Sequence, residues 1–104
     1  MGAKTFENNT QYALAVMLTV RSDPTNTKSF ALDPHGRQAV RYSDDHNPYL
    51  DGILVDVVDK GNSISRQDFI LHPGSTLETE VNTHDTVIFN LTGDSLVMGF
   101  GNDG

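Results

Sequence analysis

Nine consecutive residues, Asp44-Asp45-His46-Asn47-Pro48-Tyr49-Leu50-Asp51-Gly52, are the chain's densest run of chemically capable side chains. Calcium takes about six to eight oxygen ligands, and Asp44, Asp45, Asn47 and Asp51 supply several from one connection, with Asp44, Asp45 and Asp51 as the charged metal candidates. The order departs from the calcium-loop pattern, because Pro48 and Tyr49 interrupt the alternation of acidic and amide residues. The same stretch suits a sugar: carboxylate and amide groups hydrogen-bond hydroxyls while the ring of Tyr49 packs on an apolar sugar face. Asp, Asn, Pro and Gly are also ordinary material for a long turn.

Other chemistry is thinly supported. The four histidines, His35, His46, His72 and His84, form no closely spaced metal-binding pair. His35 follows Pro34 and His72 precedes Pro73 in two similar turns, and one metal site shared between those turns is a candidate arrangement. Glu78 and Glu80 would share a face if their segment were a strand, the arrangement a carboxylate-dependent hydrolase needs. No Gly-x-Ser-x-Gly elbow or phosphate-binding glycine loop is present, and Ser63, Ser65, Ser75 and Ser95 read as turn or strand-edge serines. Cysteine is absent, which excludes disulfides, thiolate metal sites and a cysteine nucleophile. The residues name no catalytic centre, so a metal- or carboxylate-dependent hydrolase stays an alternative. Asn8-Asn9-Thr10 and Asn90-Leu91-Thr92 match the glycosylation acceptor pattern.

Fourteen acidic residues against seven basic ones give a formal charge of −7, and the basic residues are scattered. That balance repels a phosphate backbone and argues against nucleic acid or an anionic membrane surface as partner. No run reaches the length of a membrane span and the first residues lack a signal peptide's apolar stretch, so the expectation is no membrane insertion and, by default, a cytoplasmic protein.

The elements that would position these groups read as strands. In Gln11–Val20, Tyr12, Leu14, Val16, Leu18 and Val20 alternate with Ala13, Ala15, Met17 and Thr19, and β-branched residues favour a strand over the competing helix. Ser29–Asp33, Arg37–Ser43, Ile53–Asp59, Arg66–Leu71, Thr76–Val81, Thr86–Leu91 and Ser95–Phe100 follow, with a short strand around Phe6 before them. Ser22–Thr27 reads as a turn, and no amphipathic helix stands out. The expectation is one all-β domain over residues 1–104, a small antiparallel β-sandwich of about seven to nine strands.

A shift of 39 positions superposes Val16 on Val55, Phe30 on Phe69, Leu32 on Leu71 and Pro34 on Pro73, and places Leu14 and Leu18 on Ile53 and Val57. The echo suggests a duplicated β-meander with Gln11–Val20 and Ile53–Asp59 as counterparts. Asp56 and Asp59 stand where the first copy keeps Met17 and Val20, so of these two strands the first is the one without charge on either face. An uncharged edge would recruit other strands, so this strand is expected to be central, covered by sheet on one face and by a partner subunit on the other. The functional expectation is a non-catalytic binding and assembly module that forms a homo-oligomer through Gln11–Val20. Lectin-like carbohydrate binding at the 44–52 connection, calcium-assisted in one version, is the alternative, and the ligand expected of the module is a carbohydrate or a protein.

Overall fold

The computed structural model describes residues 3–21, 23–42, 49–60, 62–72, 74–93 and 95–101. Eight strands and one helix follow in the order β1 (Ala3–Asn8), β2 (Ala13–Val20), β3 (Asp23–Leu32), β4 (Arg37–Arg41), β5 (Leu50–Asp59), β6 (Asn62–Ile70), α1 (Thr76–Thr83), β7 (Thr86–Thr92) and β8 (Ser95–Gly101). They form two four-stranded sheets, β4-β1-β7-β8 and β3-β2-β5-β6, packed as a sandwich.

Alternation decides which side chains enter the core. On β2, Leu14, Val16, Leu18 and Val20 are buried, as are Ile53, Val55 and Val57 on β5. Phe6 and Phe89 supply the opposing layer, and Phe6 spans the gap between sheets with its ring centroid 5.1 Å from Phe30 and 6.2 Å from Phe89. Truncating such a buried ring costs about 3–5 kcal/mol.

Both sheets are antiparallel except at one place. β1 lies between β4 and β7, antiparallel to the first and parallel to the second. A parallel neighbour needs a long crossover, and here most of the chain lies between the two strands. The first strand is therefore a central member of its sheet.

The 39-residue echo has a structural basis that ends early. β2 and β5 are adjacent antiparallel strands, and the echoed pair Val16 and Val55 are direct partners, with Leu14 opposite Val57 and Leu18 opposite Ile53. A local two-fold axis thus runs between the hairpins β2–β3 and β5–β6. Their registers differ, because Val16 opposes Phe30 while Val55 opposes Gln67. The third element breaks the repeat: β4 in the first half is a strand, and its counterpart is α1. What repeats is a hairpin, not a meander.

Two local expectations are corrected. The strand expected at Thr76–Val81 is helix, because Ser75-Thr76-Leu77-Glu78 is a capping sequence: Ser75 Oγ accepts the Glu78 N–H at 3.2 Å. Val81 anchors the helix in the core. The turn expected across Ser22–Thr27 is tighter, since β3 resumes at Asp23, which pairs with Val20 across a register shift after Thr19. Pro24 fits there because β3 is an edge strand with one side free of ladder partners.

Candidate functional site

β2 connects two ends of the sandwich that differ in chemistry. At its C-terminal end, Arg21 gathers what is described of the acidic connection. Its Nε donates to Asp51 Oδ1 at 3.4 Å, its guanidinium carbon lies 4.7 Å from the centroid of the Tyr49 ring, and its Nη2 donates to Glu78 Oε1 on α1. Partial burial works against the Arg21 charge, but the hydrogen bonds and charges of Glu78 and then Asp51 outweigh it and hold the guanidinium above its ordinary range. Asn82 completes the attachment of α1 by pairing with the backbone of Leu50: it accepts the Leu50 N–H at 2.9 Å and donates to the Leu50 carbonyl at 3.3 Å. A side-chain amide here substitutes for a neighbouring strand.

This cluster clasps β2, β5 and α1 together. Of the expected ligand-binding residues, Tyr49 and Asp51 meet at Arg21, while Asp44, Asp45 and Asn47 lie outside the described residues. Tyr49 is exposed, but one face of its ring is engaged by the guanidinium. Among the described residues no three His, Asp or Glu side chains converge as a metal site.

The other catalytic candidates are dispersed. Leu32 pairs with Leu14, which places His35 beyond the N-terminal end of β2; Ile70 pairs with Gly52, which places His72 at the opposite end. One metal shared by those two turns is thereby ruled out. Glu78 and Glu80 lie on α1, where two residues apart point in different directions. Glu78 is tied to Arg21, and Glu80 lies 3.5 Å from His84 Nδ1. They are not a matched carboxylate pair. Asn8, a glycosylation acceptor by sequence, is buried with both ends of its amide in use.

Between the ends lies the outer face of the β3-β2-β5-β6 sheet. β2 is central, so its uncharged sequence does not form an edge. Its inner face is covered by sheet, as expected. Along its outer face Ala15 is exposed and Ala13, Met17 and Thr19 are half-buried. Register sets Ala31 and Ser29 of β3 beside Ala15 and Met17 on one flank, with Asp56 and Leu54 of β5 on the other. Ala15, Met17, Ser29, Leu54 and Asp56 line a shallow depression of about 400 Å³. Asp56 opposes Arg66 on β6, with 3.8 Å between Oδ1 and Nε. That separation is an ion pair but no hydrogen bond, and Asp56 Oδ1 is a buried atom without a hydrogen-bond partner.

No protein family, curated protein or solved structure matches the chain. No helix among the described residues is long and apolar enough to cross a membrane.

Proposed function

We propose that the protein is a non-catalytic assembly module that self-associates through the outer face of its β3-β2-β5-β6 sheet. The observation that carries this reading is the centre of that face, where Ala13, Ala15, Met17, Thr19, Leu54 and Ala31 bring small and apolar groups together. In a chain of charge −7, a second copy can approach closely only where charge is sparse. The face is also self-complementary: Asp56 and Arg66 form an acid–base pair that a two-fold axis would duplicate in reverse.

Size sets the expected strength. Four strands about 4.8 Å apart and eight residues rising about 3.3 Å each give roughly 500 Å² of footprint per copy. A standard stable interface takes about 800 Å² from each partner, so the association is reversible and concentration-dependent. Sedimentation velocity over a dilution series tests it. The chain is expected to move from monomer toward dimer with concentration, and Ala15→Glu to remain monomeric with an unchanged melting temperature. A monomer at every concentration into the high micromolar range overturns the proposal.

A further inference from the structure

The N-terminal end of β2, opposite the Arg21 clasp, carries a second surface. Two adjoining depressions, of about 460 Å³ and 360 Å³, share Tyr12, Leu91 and Gly93. Asn9, Gln11 and His35 supply the polar rim of the first, while Val57 and Ile64 extend the apolar floor of the second. Each volume falls within the roughly 300–1,000 Å³ of small-molecule sites.

The rim is held in place by buried polar bonds. Asn8 Nδ2 donates to the carbonyls of Tyr12 at 2.6 Å and Asp33 at 2.9 Å, and Asn8 Oδ1 accepts from the Thr10 N–H and hydroxyl at 2.9 Å and 2.7 Å. The His35 N–H donates to the Thr10 carbonyl at 3.1 Å, so the β1–β2 and β3–β4 turns are stitched together. His35 itself holds a left-handed backbone with φ 56°, a conformation that non-glycine residues adopt at a cost. Asn9 is oriented by donating to Asn90 Oδ1 at 2.7 Å. A buried network and a strained turn together fix one groove, which lowers the ordering cost of binding there.

The described residues lining both depressions include no Asp, Glu, Lys or Arg, although one residue in five of the chain is charged (20%). Among the described lining residues a phosphate or carboxylate finds no counter-charge, and a cation no anionic ligand. Two amides, an imidazole, an aromatic ring and an apolar floor match a ligand with many hydroxyls and one apolar face. We propose that this groove binds a neutral saccharide, with Tyr12 packing against the sugar ring and Asn9, Gln11 and His35 hydrogen-bonding its hydroxyls. The site is separate from the sheet face proposed for self-association, so either can fail without the other.

The test is a titration of the ¹⁵N-labelled full chain with the methyl glycosides of glucose, galactose, mannose and N-acetylglucosamine, with glucuronate as the anionic comparison. At least one neutral glycoside is expected to give saturable millimolar shifts confined to residues 9–12, 35 and 91–93. Gln11→Ala, an exposed change that spares the fold, should weaken binding about three- to tenfold. Tyr12→Ala should weaken it about tenfold or more. No saturable shift with any of the four, shifts that map elsewhere, equal affinity for glucuronate, or unchanged binding in Gln11→Ala and Tyr12→Ala would each overturn the proposal.

Discussion

Replacing Asn8 by alanine removes four hydrogen bonds at a buried position. Asn8 is 1% exposed, and its amide makes four bonds: two donated to the carbonyls of Tyr12 and Asp33, two accepted from Thr10. The carbonyls keep other donors: the Thr10 hydroxyl, released from Asn8, turns to Tyr12 O, 3.0 Å away, and Gly36 N donates to Asp33 O at 2.8 Å. Losing those two bonds costs about 1 kcal/mol each. The Thr10 N–H loses the acceptor it has, and a buried unsatisfied donor adds about 1–3 kcal/mol. The sum is about 3–5 kcal/mol, a large part of the roughly 5–15 kcal/mol that holds a domain of this size. Urea unfolding followed by circular dichroism should show a lower midpoint with an unchanged slope. Asn8→Asp tests the donor role separately: the shape is kept, but a carboxylate faces two carbonyls, so the loss should match or exceed that of alanine. A destabilisation below about 1 kcal/mol in both variants would refute the view that this network fixes the two turns.

Two further perturbations probe the rest of the frame. Arg21→Met should destabilise by about 1–3 kcal/mol, because Glu78 is left partly buried without its cation; adding Glu78→Gln should recover part of the loss in a double-mutant cycle of unfolding energies. Strict additivity would mean that the clasp is not a coupled unit. Burial raises the Tyr42 hydroxyl to about 12, so the unfolded chain ionises first and stability falls as pH rises from about 10 to 12. Discounted for solvent screening, the fall is on the order of 1–2 kcal/mol and should flatten in Tyr42→Phe. Lys4 acts in the opposite sense: its burial, only partly offset by Asp85, lowers its pKa, so stability rises with pH from that lowered value up to about 10.5. The difference between wild type and Tyr42→Phe isolates the tyrosine, and identical alkaline unfolding curves would contradict its assignment.

The sandwich was legible because period-two alternation is strong in β2 and β5, where one face is fully buried and the residues are mostly β-branched or leucine. The helix was missed for a reason visible in its composition. Thr76–Thr83 buries only Val81 fully, so its apolar stripe is faint, and the decisive signal was the cap at Ser75 and Glu78. The parallel placement of β1 beside β7 could not be read locally, since it joins residues about eighty apart in the chain. The acidic connection stands out in the sequence by its composition, but the cation that organises its described end, Arg21, lies about thirty residues earlier, among basic residues that are scattered along the chain. Composition shows which groups are available; only the register of β2 against β5 shows which of them meet.

The sheet face is tested most directly by the methionine methyl groups. Met17 lies on the outer face of β2, while Met98 lies on β8 in the other sheet and serves as an internal reference. In ¹³C-methyl spectra recorded from high micromolar concentration down through a dilution series, Met17 should move progressively while Met98 stays fixed. Stationary signals from both, or movement of Met98 with Met17 unchanged, would contradict self-association through this face.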